Sequence, residues 1–118
     1  MAEEITEQTD EEIIAIAEPI VQNMLESSYA LDYERFTRDI SEHYKKAVPE
    51  DKFHEETTKL IGSDGQCVAR KLLGVLRKGE AALVVWSAKY DKTEDDTLIQ
   101  LMITREGERY LVIWGLWS

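Results

Sequence analysis

Ala81-Ala-Leu-Val-Val-Trp-Ser-Ala-Lys-Tyr90 is the stretch that decides the fold. It is rich in β-branched and aromatic residues, which suit a pleated and half-buried strand. Three runs of the same kind surround it, roughly Cys67–Arg77, Thr97–Thr104 and Arg109–Trp117. The links between them are Lys78-Gly79, the acidic Asp91–Asp96 stretch and Glu106-Gly107. Such short turn-like links cannot carry a crossover, so successive strands must be antiparallel neighbours in a four-stranded meander.

Upstream of Gly65 the apolar residues follow a helical period. Thr9 or Asp10 is a suitable N-cap, and Ile13, Ile16, Ala17, Ile20, Met24 and Leu25 recur at three- and four-residue spacing to about Ser28. Pro19 falls inside this stretch, where it removes a backbone hydrogen bond and either kinks the helix or separates off the turn before it. Asp32 caps a second piece burying Tyr33, Phe36 and Ile40, and Ser41 caps a third over Glu42–Val48. Pro49 introduces a fourth, Glu50–Ile61, with Phe53 and Leu60 inward and Gly62 as its stop. Glu34–Arg38, Glu42–Lys46 and Glu55–Lys59 are i,i+4 pairs in the favourable order. Residues 1–9 lack periodicity and are expected to fray, leaving 10–118 as one α+β domain with N-terminal helices packed on a curved antiparallel sheet.

At 118 residues the chain has room for one core. The formal charge is −10, and the excess is localised: residues 1–34 hold ten carboxylates and no Lys or Arg, whereas acids and bases cancel over the rest. An acidic surface of this kind repels phosphate backbones and anionic headgroups, so neither nucleic acid nor membrane is an expected partner. The acidic N-terminus does not read as a signal peptide, and the single Cys67 can form neither an internal disulfide nor a structural zinc site. A cytoplasmic location follows as the expectation.

Strict alternation leaves large apolar residues on both faces of the sheet. In the last strand Leu111, Ile113 and Trp117 oppose Tyr110, Val112, Trp114 and Leu116, and in the second Val84, Trp86, Ala88 and Tyr90 oppose Leu83 and Val85. Helices can cover one face only. A second copy of the sheet is the expected cover for the other, with Val112, Trp114 and Leu116 as interface candidates; a different protein is the alternative.

Ala30-Leu-Asp-Tyr-Glu-Arg-Phe36, Ser41-Glu-His-Tyr-Lys-Lys46, Phe53, Leu60-Ile-Gly62 and the closing Ile113-Trp-Gly-Leu-Trp117 together resemble a small member of the nuclear transport factor 2-like superfamily, a cone-shaped α+β fold akin to cystatin-like sheets. The resemblance spans about residues 12–117. It implies a curved sheet around the helices, an interior that can form a pocket, and frequent dimerisation through the sheet. The superfamily holds binding and docking modules as well as isomerases, dehydratases and epoxide hydrolases, so the fold does not select a function.

The chemical candidates are few. Ketosteroid-isomerase-like members use a buried Asp base with a Tyr-containing oxyanion site, for which Tyr29, Asp32, Tyr33 and Asp39 are the nearby analogues; Asp32 is better read as an N-cap and Asp39 as a surface acid. His43 and His54 sit among charged neighbours. His54-Glu-Glu-Thr-Thr58 lacks the second histidine of the helical zinc motif. Cys67 reads as a small hydrophobe without a local base. The Asp91–Asp96 loop lacks the spacing and central glycine of a calcium loop. Arg70 is expected beside Val68 and Leu72 on an apolar face, where a charge needs a partner or a ligand anion, with Trp86, Tyr90 and Trp114 as possible aromatic walls. No catalytic residue, metal or cofactor is assigned. The expectation is a non-enzymatic binding or interaction domain, homodimeric through its sheet, with Tyr29, Tyr44, Arg70, Trp86 and Tyr90 as candidates around a small apolar-ligand pocket. The alternative is a cofactor-free isomerase or dehydratase acting on a small apolar molecule.

Overall fold

A computed structural model of the chain describes residues 2–118. Four helices precede a four-stranded antiparallel sheet of order β1-β2-β3-β4. The helices are α1 (Asp10–Tyr29), α2 (Tyr33–Phe36), α3 (Glu42–Lys45) and α4 (Glu50–Asp64); the strands are β1 (Cys67–Lys78), β2 (Ala81–Tyr90), β3 (Asp96–Glu106) and β4 (Arg109–Trp117). The α+β meander is the one the strand spacing demands.

Thr9 starts α1 with a reciprocal capping box: its hydroxyl receives the Glu12 N–H while the Glu12 carboxylate receives the Thr9 N–H. Pro19 neither ends nor divides this helix, which runs unbroken from Asp10 to Tyr29 with the proline on its exposed side. Leu31 ends it in the left-handed conformation (φ 53°), and the Asp32 N–H closes back on the Ser27 carbonyl at 2.8 Å. Asp32 and Ser41 cap α2 and α3 as expected, through bonds from the Arg35 and Tyr44 amides. Gly62 lies within α4; the stop is Gly65, whose φ of 81° a residue with a side chain would resist.

The expected fraying of residues 2–9 requires a correction, and residue 1 lies outside the described residues. Ile5–Glu7 form a 3-10 turn and Ile5 is fully buried in the core. The Tyr110 hydroxyl donates to the Glu3 carbonyl, Arg105 pairs with Glu4, and Arg77 binds the Thr6 and Gln8 carbonyls. One inserted isoleucine and three side chains from the sheet thus hold a segment that has no periodicity of its own.

The core lies between α1 and one sheet face. Leu72, Trp86, Ile99 and Trp117 form one inward cross-strand row; Ala82, Ile103 and Val112 lie in another. The pairing slips between Met102–Trp114 and Ile103–Val112, so Ile113 is an extra, bulged residue. The bulge reverses the alternation of β4. Val112 points inward and is 0% exposed, whereas Trp114 and Leu116 point outward and are 38% and 42% exposed. Val112 is therefore a core residue and not an interface candidate.

Candidate functional site

Four elements leave a space where α4 leans over the C-terminal end of the sheet. The C-terminal half of α1 contributes Met24, Leu25, Ser28 and Tyr29; α2 and the segments around α3 add Phe36, Ile40, Tyr44 and Val48; α4 supplies Phe53, Leu60 and Ile61; and the strand ends give Tyr90, Gly115 and Trp117. The cavity measures about 340 Å³, near the lower end of the ~300–1,000 Å³ common for small-molecule sites. Its lining is mainly apolar, and Glu56 stands at its wall as an exposed residue of α4.

Local chemistry holds this frame. Phe53 packs against Phe36 and Tyr33 with ring centroids 4.6 and 5.6 Å apart, fixing α4 on α2. The Tyr33 hydroxyl donates to the Val48 carbonyl at 2.6 Å, tying α2 to the segment after α3. At the far end of α4, the Asp91 carboxylate receives the Gln66 N–H, and the Lys92 N–H bonds the Asp64 carbonyl. The acidic loop thus clamps the α4–β1 junction.

Three of the five proposed pocket residues, Tyr29, Tyr44 and Tyr90, line the cavity. Tyr29 accepts a hydrogen bond from the Cys67 N–H at 2.6 Å, and burial pushes its pKa up. Tyr44 bonds both polar groups of Gly115. Tyr90 is 3% exposed, its sealed hydroxyl lies beside the Trp117 side chain, and burial moves its pKa strongly upward.

The other two lie elsewhere. Trp86 is fully buried in the core, its indole N–H donating to Glu18 at 2.8 Å. Arg70 reaches the same carboxylate at 2.8 Å and Gln22 at 2.7 Å, so its partner is α1 and not a ligand. Burial raises the pKa of Glu18, but the bonds from Trp86 and Arg70 outweigh it and the net shift is downward. Trp114 stands on the opposite sheet face and does not line this cavity. The sequence reading missed Leu60, Ile61 and Trp117 as a cavity wall; an aromatic closing a strand was the available signal for Trp117.

The remaining chemical candidates stay apart. Asp39 pairs with Arg38 and Arg109, His43 is exposed, and His54 lies 3.8 Å from Glu50. The Cys67 thiol donates to the Ala69 carbonyl, and burial raises its pKa. Among the described residues no cluster of three or more His, Cys, Asp or Glu could hold a metal ion, and no helix is long and apolar enough to cross a membrane.

The outer sheet face carries a second feature. Leu76, Leu83, Met102 and Trp114 pair in register across all four strands, and Val85, Gln100 and Leu116 form the adjacent row. Leu73, bulged out of β1, adds a further exposed apolar side chain.

No protein-family model and no curated protein matches the sequence. Among solved structures, the chain is similar to a SEC-C motif containing protein from Rhodopseudomonas palustris, with a TM-score of 0.62 and 11% identity over 86% of this chain and 78% of that one. It is also similar to a Bdellovibrio bacteriovorus protein, with a TM-score of 0.55 and 13% identity over 91% of this chain and 41% of that one. At these identities the likeness is one of fold: a compact α+β domain.

Proposed function

We propose that this chain is a non-enzymatic binding domain of the nuclear transport factor 2-like type, cytoplasmic, which holds a small, largely apolar molecule between α4 and the sheet. The observation that carries the reading is the preformed, mainly apolar cavity of about 340 Å³ between α4 and the sheet. A structural core of this size closes such a space with side chains; a binding site keeps it open and places a few polar groups in it. The competing isomerase or dehydratase reading needs a base beside the reacting atoms. Asp32 caps α2, Asp39 is held by two arginines, and Arg70 is engaged by Glu18, all outside the cavity.

A neutral apolar dye such as Nile red tests the site. Thr57→Trp places a large ring at the half-buried α4 wall and should abolish dye binding while the far-ultraviolet circular dichroism is unchanged. Binding that survives Thr57→Trp but is lost in Trp114→Glu would put the dye on the outer face and overturn the proposal.

Homodimerisation through the sheet is a second reading, favoured by the Leu76–Leu83–Met102–Trp114 row. Contiguous apolar rows of this length are uncommon on isolated domains, and a two-fold axis would stack each row on its copy.

A further inference from the structure

The two edges of the sheet are finished differently. At β4, Tyr44 bonds both polar groups of Gly115, while the Asp39 carbonyl and the Ser41 N–H bond those of Val112. At β1 only the first residues are covered: the Tyr29 hydroxyl takes the Cys67 N–H, and the Cys67 thiol bonds the Ala69 carbonyl. From Arg70 to Lys78 the strand has β2 on one side, and among the described residues nothing bonds its backbone on the other. Most of a 12-residue strand is thus a free edge, long enough to accept another strand.

The side chains along this edge are unlike those of the rest of the chain. Cys67–Lys78 holds four basic residues and no acid, in a protein of formal charge −10. Arg70 and Arg77 turn to the inner face and pair with Glu18 and Asp10 of α1. Lys71 and Lys78 stand on the outer face, exposed, and have no ion pair or hydrogen bond among the described residues. Between them Leu73 and Leu76 are exposed as well. A Cβ at Gly74 would meet nothing within 4 Å and its φ is not left-handed, so neither space nor conformation demands glycine there. A glycine inside a strand costs stability and leaves room for another backbone to approach.

Bulges and edge lysines blunt a sheet against copies of itself. A second β1 would bring only more cations to this edge, and like charges directly opposite are destabilising. An acidic strand meets the opposite condition. Lys71 and Lys78 lie opposite Ser87 and Ala81 of β2, so a regular strand laid alongside would meet the two ammonium groups six residues apart, a span of about 20 Å.

We propose that the free edge of β1 is a docking site for an extended segment of another protein, added as a further strand of the sheet. That segment carries a carboxylate at each end on the outer face, with apolar side chains between them. Backbone pairing supplies the affinity, Lys71 and Lys78 the selection, and Leu73 and Leu76 the apolar contact. None of these residues lines the cavity, so the proposal is independent of the ligand-binding reading.

Two end-blocked peptides test it, Glu-Thr-Val-Thr-Ile-Thr-Glu and its counterpart with lysine at both ends, each titrated into isotope-labelled protein. The acidic peptide should give saturable shifts centred on the amides of residues 70–78 and bind about tenfold more tightly than the lysine peptide. The double substitution Lys71→Glu, Lys78→Glu should reverse that preference, with amide positions away from β1 unchanged. Equal binding of the two peptides to the wild type, shifts centred on another part of the chain, or no binding of the acidic peptide would overturn the proposal. A preference for the acidic peptide that survives the double substitution would overturn it too, because the lysines would not be its cause. Edge amides that gain protection from exchange as the protein alone is concentrated would give the edge to a second copy instead. Should the double variant misfold, the comparison of the two peptides on the wild type decides.

Discussion

The Tyr44 hydroxyl donates a hydrogen bond to the Gly115 carbonyl at 3.1 Å and receives the Gly115 N–H at 3.2 Å. A single phenol thus does for β4 what a neighbouring strand would do, at the sheet edge beside the cavity. Three residues before Gly115, Val112 is covered in the same way: its carbonyl receives the Ser41 N–H and its N–H bonds the Asp39 carbonyl. The α2–α3 connection therefore protects an edge that would otherwise present open backbone groups.

Tyr44→Phe leaves two backbone groups of Gly115 without these bonds while keeping the ring. A loss of about 1–2 kcal/mol in urea unfolding is expected. A Cβ at Gly115 would lie 3.1 Å from the Leu101 Cδ2 atom, so Gly115→Ala should cost about 1 kcal/mol through overpacking. An unchanged midpoint in Tyr44→Phe would show that the edge is held by residues 39–41 alone.

Tyr90→Phe should behave in the opposite way. It deletes a buried hydroxyl whose proton meets no acceptor, so stability at neutral pH should change little. The pH dependence has a definite sign. The folded-state pKa of Tyr90 is raised above the ordinary phenol value, so its contribution is fully present below about pH 10 and is lost as the pH rises beyond it. Unfolding free energies measured from pH 8 to pH 11 should fall more steeply for the wild type than for the variant. Parallel curves would contradict the burial of this group.

Glu18 accepts from both Trp86 and Arg70 beneath α1. Glu18→Ala strands a fully buried indole N–H and an arginine at once, and should cost roughly 2–3 kcal/mol. Trp86→Phe in the Glu18→Ala background should cost less than Trp86→Phe in the wild type, because the lost partner is shared. Additive effects, read by chemical denaturation, would mean that the bond is not formed in solution.

On the outer face, Trp114→Glu should convert a dimer to a folded monomer, whereas Val112→Glu should prevent folding, since only the former side chain is exposed. Light scattering over a hundredfold dilution reads the mass directly. A wild-type mass near 13.6 kDa throughout would remove the homodimer.

The contrast between Val112 and Trp114 also marks how far the sequence could be read. Four strands and four helices were legible, because the apolar period switches after Gly65 and caps such as Thr9, Asp32 and Ser41 announce the helix starts. The face of each β4 residue was not. Strict alternation puts Val112 with Trp114, and only the extra residue Ile113 separates them; Gly115, a glycine within a strand, was the one local hint of irregularity. Arg70 was recognisable as a charge in need of a partner, yet its partner lies 52 residues away in α1, beyond any local pattern. Ile5 gave no periodic signal, being a single inserted side chain. Tyr29, Tyr44 and Tyr90 could be named as pocket candidates from the family resemblance and from the aromatic residues expected near Arg70. Leu60 and Ile61 could not, since the lean of α4 over the sheet end is a tertiary fact set by Phe53 and by the Asp91 clamp.

The three indoles make the decisive measurement a simple one. Trp117 lines the cavity, Trp86 is sealed in the core and Trp114 stands on the outer face. In a proton–nitrogen correlation spectrum titrated with 2-acetylnaphthalene, the Trp117 indole and the Ile61, Gly65 and Gly115 amides should shift together and saturate, while the Trp114 indole stays in place. Saturable shifts centred on Trp114, or none at any of the three indoles, would contradict a ligand-binding cavity between α4 and the sheet.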